Sequence, residues 1–247
     1  MKNKTGVRLF YGIVFILVVK PSRAQNNEQN PYLNSWFTYL SQLKIDSVWS
    51  MSMELHERTG DFFKDQGQIL IRPSIDYHIQ PNASFSLGYT WINVQPFEPI
   101  NQPIAFNENN LWEQALFKYQ IKNVKFQNRI RFEHRWIQHI DENNTPIRIN
   151  GTHYKNRFRY RHTMQFDISK LKNKPIFLHC FDEIWINQDD WLKPRSLNRN
   201  WFYAGIGIQL NESANAQIGY LNQIDRNGDK NLNTDIVQFT WVKNFNL

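Results

Sequence analysis

Cys180 is the only cysteine in 247 residues, which excludes an intramolecular disulfide and any cysteine-based zinc site. Beyond residue 24 there is no long apolar run, so helical membrane spans are excluded as well. Net charge is also scarce. The whole chain carries 29 basic and 22 acidic residues and a pI near 9.4. Lys2, Lys4, Arg8, Lys20 and Arg23 all fall in the first 24 residues, and without them 24 basic residues face 22 acidic ones. That balance implies no nucleic-acid partner. Low-complexity tracts, internal repeats and an internal domain boundary are missing too.

The first 24 residues have the layout of a cleavable signal peptide. Lys2, Lys4 and Arg8 precede the uncharged apolar stretch Leu9–Val19, and Ser22-Arg23-Ala24 offers a small-x-small cleavage site. Eleven apolar residues are too few for a spanning helix, which needs roughly 20. The expected organisation is a signal peptide over 1–24 and one β domain over 25–247.

What the rest of the chain has in abundance is alternation. Arg129-Ile130-Arg131-Phe132-Glu133-His134-Arg135-Trp136 places charge on every odd position and mostly bulk on every even one, and Arg157-Phe158-Arg159-Tyr160-Arg161 repeats the pattern. Side chains on a strand alternate between two faces, so each segment makes a sheet with one charged and one apolar, aromatic face. A soluble sandwich or lipocalin-like barrel would turn the apolar face inward. A membrane barrel turns it toward lipid and the polar face toward the lumen. Aromatics form 15% of the chain and include nine tryptophans, a content suited to the aromatic girdles of a membrane barrel.

Candidate strands run over 33–43, 46–58, 67–79, 83–95, 110–121, 124–139, 153–168, 175–188, 199–211, 214–225 and 234–247. Short turns at Lys44-Ile45, Gln80-Pro81-Asn82, Lys122-Asn123 and Glu212-Ser213 alternate with longer polar loops at 59–66, 96–109, 140–152, 189–198 and 226–233. Short turns on one rim and long loops on the other mark an outer-membrane barrel. The expected fold is thus all-β, an antiparallel transmembrane barrel of about 10–12 strands. Eleven segments sit awkwardly with the even strand numbers of bacterial barrels, and leave 33–43 either as an extra piece or as a sign of a missed twelfth strand. The C-terminal pattern Val237-x-Phe239-x-Trp241-x-x-x-Phe245-x-Leu247 is similar to the terminal signal read by the barrel-assembly machinery.

An ordered series of short motifs runs along the chain: Ile71-Arg72-Pro73-x-x-x-Tyr77, Leu87-Gly88-Tyr89, Leu111-Trp112-Glu113-Gln114, the two arginine-rich segments, Asp182–Asn187, Arg199-x-x-Phe202-Tyr203-Ala204-Gly205-Ile206-Gly207 and Gly219–Gln223. The series resembles the uncharacterised Bacteroidota family catalogued as domain of unknown function 2490. The resemblance implies an outer-membrane β-barrel and brings no activity or catalytic residues with it.

Arginines on a lipid face near the bilayer midplane would cost about 2–4 kcal/mol each, so they must face water or carboxylates. The expected lumen network comprises Glu54, Arg72, Asp76, Arg129, Arg131, Glu133, Arg135, Arg157, Arg159, Arg161, Asp167 and Glu183. It either braces the barrel through paired charges or forms an anion-attracting path. The same parity sends Phe85, Leu87, Phe126, Ile130, Phe132, Phe158, Tyr160, Met164, Phe166, Ile206, Ile208 and Leu210 to the lipid face, together with His134 and His162.

A hydrolase is the competing function. His56 beside Glu54, His78 beside Asp76, and Ser50, Ser52 and Ser74 share polar faces, but without a signature spacing. The segment Asp225–Asn233 resembles a calcium loop, yet has Lys230 and Ile236 where an EF-hand requires Gly and Glu. The sequence therefore points to a non-enzymatic structural or binding barrel, or a narrow pore, with a barrel hydrolase acting on lipid or lipopolysaccharide as the alternative. No metal or cofactor is expected. The expected partners are outer-membrane lipid, the assembly machinery and a small anionic solute.

Overall fold

The computed structural model describes residues 26–97, 102–187, 197–227 and 230–247, and the signal peptide expected over 1–24 lies outside them. Every regular element among these residues is a strand. In chain order they are β1 (Asn26–Gln29), β2 (Asn34–Lys44), β3 (Trp49–Gly60), β4 (Asp65–Gln80), β5 (Ala83–Val94), β6 (Phe106–Ile121), β7 (Val124–Asp141), β8 (Arg148–Leu171), β9 (Lys174–Asn187), β10 (Leu197–Asn211), β11 (Ala214–Asn227) and β12 (Lys230–Asn246).

Strands β2 to β12 pair in chain order, and the ring closes where β12 meets β2. Ten of the eleven pairings round this ring are antiparallel. The closing one is parallel, from Ile236↔Asn34 to Asn246↔Lys44. The wholly antiparallel barrel expected from the sequence is corrected here to a mixed, eleven-stranded one. Parity explains it: strands that alternate in direction around an odd ring must leave one pair running the same way. The segment that had no place in an even barrel, 33–43, is the strand that closes the ring. Short β1 lies on the same edge of β12, parallel from Asn26↔Lys230 to Gln29↔Asn233. Asn30 N continues the ladder to Asn233 O at 2.8 Å.

One rim carries tight connections. Lys172 and Asn173, at φ 49° and 67°, turn the β8–β9 hairpin with both central residues left-handed, as a type I′ turn requires. At 45–48, Asp46 accepts the backbone N–H groups of Trp49 and Val48, both at 2.7 Å, which holds its carboxyl below the ordinary 3.8. The opposite rim carries the longer connections, although pairing consumes much of them. The β7–β8 ladder reaches Asp141↔Arg148, and the β11–β12 ladder reaches Asn227↔Lys230. Residues 98–101 and most of the 189–198 loop lie outside the described residues. Because the ring is odd, β2 begins at the long-loop rim while β12 ends at the short-turn rim.

The two faces separate as alternation demands. None of the twelve apolar residues expected outside is buried, and Phe85, Leu87, Ile130 and Ile206 are exposed. Phe63, at φ 75°, sets its ring 5.5 Å from that of Phe37, which stacks on Phe239 across the closing seam. The tryptophans depart from the girdle reading. Of the eight described, Trp36, Trp112, Trp185 and Trp201 are buried in the interior. Glycines make the room. A Cβ on Gly88 would lie 2.1 Å from the Trp112 ring, which covers it from the paired position on β6. Gly205 and Gly219, paired across β10 and β11, do the same for Tyr203.

Candidate functional site

Strands β7 and β8 present their arginines side by side. Arg129 pairs with Arg161, Arg131 with Arg159, and Glu133 with Arg157. Cations directly opposite repel, so the arrangement requires carboxylates from elsewhere. Glu183 on β9 accepts Arg129 at 2.6 Å, Arg159 at 2.7 Å and Arg161 at 2.5 Å. Glu133 accepts Arg157 at 2.5 Å and Arg159 at 2.8 Å. Both glutamates are completely buried.

A third carboxylate reaches across the bore. Glu54 on β3 holds Arg72 of β4 at 2.5 Å and Arg131 of β7 at 3.5 Å. Strands β3 and β7 are not neighbours in the wall, so this contact runs through the lumen. Arg131 also donates from Nε and Nη2 to Gln114 Oε1, at 3.0 and 2.7 Å, and lies 4.0 Å over the Trp112 ring. Arg72 gives its Nε to Thr90 Oγ1 at 2.9 Å. The centre of the barrel is thus filled by six arginines on three glutamates, a set with three more positive than negative charges.

Ten of the twelve residues named from the sequence meet as ion pairs. Arg135 does so outside the central set, in a two-point contact with Glu108 at 2.6 and 2.7 Å. Asp76 instead accepts hydrogen bonds from Ser52 at 2.5 Å and from Ser50, Ser74 and Gln42 at 3.3 Å. Asp167 is the misplaced one. It is exposed beside a register shift in the β8–β9 ladder, and no ion pair among the described residues includes it. It still stands opposite the buried Phe177, so its exposure comes from its place near the short-turn end of β8, beyond the reach of the central arginines.

Sequence reading left Glu108, Arg58, Arg199 and Asp225 out of the lumen network. It also missed the buried aromatic cluster that flanks the charge network, formed by Trp36, Phe181, Trp185, Trp201 and Tyr203. Guanidinium groups stack on this cluster. Arg159 lies 3.9 Å and Arg157 4.4 Å over Trp185, Arg161 lies 4.0 Å over Phe181, and Arg58 lies 4.1 Å over Trp36. Cation–π contact stabilises charge that the three carboxylates leave in excess.

A family model described as a protein of unknown function, DUF2490, matches residues 33–234. The chain belongs to this family. No curated protein and no solved structure matches it. The span that defines DUF2490 here takes in β2 to β11 and the start of β12, and so all of the lumen network. Several motifs of this DUF2490 chain now have a physical meaning. Gly88 and Trp112 are one packing unit, as are Tyr203, Gly205 and Gly219.

The groups weighed for hydrolysis do come together, in an order that does not make a relay. Ser50 Oγ lies 2.8 Å from His78 Nε2, but Asp76 bonds to the Ser50 hydroxyl and not to the far nitrogen of His78. A carboxylate placed there cannot orient the imidazole or stabilise its protonated form. Ser50 is also completely buried. His56 Nδ1 lies 3.1 Å from Thr38 Oγ1 and its Nε2 lies 3.3 Å from Glu54, whose same oxygen is committed to Arg72. At the start of the calcium-like segment, the Asp225 carboxylate is taken by Arg199 and by Gln223. Among the described residues, no group of three or more His, Cys, Asp or Glu side chains could hold a metal ion.

Proposed function

We propose that this chain is an exported outer-membrane barrel whose bore is closed by its own side chains, and that it serves as a structural or ligand-binding barrel without channel or hydrolase activity. The observation that carries the reading is the Glu54–Arg131 contact across the lumen, with Arg159 buried between Glu133 and Glu183 beside it. Buried ion pairs of this kind hold together only when each group keeps its partners, and side chains that meet across the bore occupy the space a water path would need.

Placement in a membrane is supported by the outer face. Leu87, Leu111, Phe117, Phe202, Ile218 and Trp241 are each 45–55% exposed. Soluble monomers rarely expose apolar surface of that extent, while lipid tolerates it. The signal-peptide layout of 1–24 and the aromatic C-terminal pattern support export and assembly by the barrel-assembly machinery. Residence in the outer membrane of a Gram-negative, Bacteroidota-type cell follows from the same reading.

Reconstitution into planar bilayers tests the closed bore. The expected record has no conductance steps, and reproducible single-channel steps would refute the proposal. Membrane-fraction protein should also migrate faster unboiled than boiled on SDS gels, and release by carbonate washing would refute the membrane placement. The hydrolase reading rests on the Ser50–His78 contact. Turnover of phospholipid or lipopolysaccharide that His78→Ala abolishes would replace the present reading with it.

A further inference from the structure

At the long-loop end of the lumen, against Trp36 of the aromatic cluster, lies a cavity of about 140 Å³. Arg58 of β3 lines it. Of the six buried arginines among the described residues, Arg58 is the one without a carboxylate at ion-pair distance. Its guanidinium is more than nine-tenths buried, held in place between the rings of Trp36 and Trp201 and by Gln68 Oε1, 3.0 Å from Nη1. Its Nε has no hydrogen-bond partner among the described residues. Among the described residues the charges acting most on it are like charges, Arg72, Arg199, Arg159 and Arg157. The remaining ionic groups on the cavity wall, Arg199 and Asp225, are already paired with each other.

A buried, unpaired cation carries a cost that one negative charge would relieve. The cavity wall also includes acceptor and hydroxyl atoms without partners, Asn34 Oδ1 and Thr234 Oγ1, both on buried residues. Apart from Gln223, whose amide is engaged by Trp201 and Asp225, the rest of the lining is apolar: the Trp36 indole, Leu232, Ile236 and Phe97, which is seated over Gly67 so closely that a Cβ there would lie 2.7 Å from its ring. One uncompensated positive charge, a planar guanidinium and a small apolar chamber define the complementary molecule. We propose that this cavity binds a small organic monocarboxylate, its carboxylate on Arg58 and its compact hydrocarbon body against Trp36 and Phe97. A phosphate fits less well, because it brings a second charge and more acceptors than the wall has donors. The inference goes beyond the closed-barrel reading and stands whether or not the bore conducts.

Calorimetric titration of the purified full-length barrel in chloride-free detergent buffer tests it, with propionate and benzoate as probes and with propionamide and inorganic phosphate as comparisons. Saturable binding of the carboxylates is expected, with affinity at least about tenfold weaker in Arg58→Gln. Gln68→Glu supplies the missing carboxylate from within the protein. This variant should fold, melt at a higher temperature than the wild type and lose carboxylate binding by a similar factor. It keeps the test decisive if Arg58→Gln fails to fold. The proposal is overturned if the wild type shows no saturable carboxylate binding, if propionamide binds as well as propionate, if phosphate binds more tightly, or if Gln68→Glu binds propionate like the wild type.

Discussion

Removing a carboxylate from the lumen should cost far more than removing an arginine, because the central set holds six guanidinium groups on three glutamates. Glu183→Gln is the sharpest perturbation. The native carboxylate receives Arg129, Arg159 and Arg161 at 2.5–2.7 Å with no exposure to water. In the variant Arg159 retains Glu133 at 2.8 Å. Arg129 and Arg161 retain no carboxylate among the described residues. Breaking a buried pair by removing one partner costs about 3–5 kcal/mol, and the acceptor oxygen kept by glutamine places the expected loss near the lower end of that range. Arg129→Gln is the mirror experiment. It leaves Glu183 with two cations and relieves the repulsion from Arg161 directly opposite, so its cost should be about 1 kcal/mol, that of one hydrogen bond. The double variant should be less destabilised than Glu183→Gln alone. Equilibrium unfolding in micelles by urea, read by tryptophan fluorescence and by the unboiled gel band, supplies the three free energies when the denaturant slope is unchanged. An Arg129→Gln loss equal to or larger than that of Glu183→Gln would refute the idea that the lumen carries excess positive charge.

Gly88→Ala should push Trp112 out from beneath Arg131, since the added Cβ would lie 2.1 Å from the indole; about 1–3 kcal/mol of stability should go with it, read by urea unfolding. In bilayers of lipid brominated along the acyl chain, a variant keeping only Trp241 should be quenched strongly and one keeping only Trp112 weakly, and equal quenching would remove the support for an outward apolar face. Asp46→Asn should destabilise the β2–β3 turn at neutral pH. Because hydrogen bonds from Trp49 and Val48 lower the folded-state value of Asp46, its contribution is present above 3.8 and lost as pH falls through the lowered value. Wild type and variant should therefore converge in strongly acid buffer, and a gap that widens toward acid would contradict the assignment.

Most of the wall was legible because period-two alternation needs no tertiary information. Eleven strand segments read from pattern correspond to β2 through β12, within a few residues at many ends. The exceptions have identifiable causes. Strand β8 extends over 24 residues because its N-terminal part, polar enough to read as loop, pairs with β7 up to Arg148. Glu108 escaped notice because the stretch Phe106–Gln114 alternates poorly. Its outward face carries Glu113, which lies 3.6 Å from His134 on the neighbouring strand, so both faces look polar. The inward tryptophans could not be told from girdle tryptophans by composition. What separates them is the small residue opposite, as with Gly88 and Trp112, and that pairing exists only once register is known. The closing seam was hidden for another reason. An odd ring places the two chain ends on opposite rims, and nothing local in 33–43 records which strand it will meet.

The arginines explain why register should be strict in a sheet of this kind. A slip of one residue between β7 and β8 would turn Arg157, Arg159 and Arg161 outward and bring Phe158 and Tyr160 into the lumen, since every side chain changes face together. In lipid that error costs about 2–4 kcal/mol for each arginine near the midplane. It would also strip Glu133 and Glu183 of most of their partners. Yet the correct register of β7 and β8 is itself repulsive, with Arg129 against Arg161 and Arg131 against Arg159. The pair becomes favourable only when β9 delivers Glu183 and β3 delivers Glu54 from across the bore. A partly closed sheet keeps those charges unmatched. The ion-pair network therefore rewards complete closure, including the parallel seam of β12 with β2, more than any pairwise ladder does. That gives the arginines a part in closing the barrel whether or not anything passes through it.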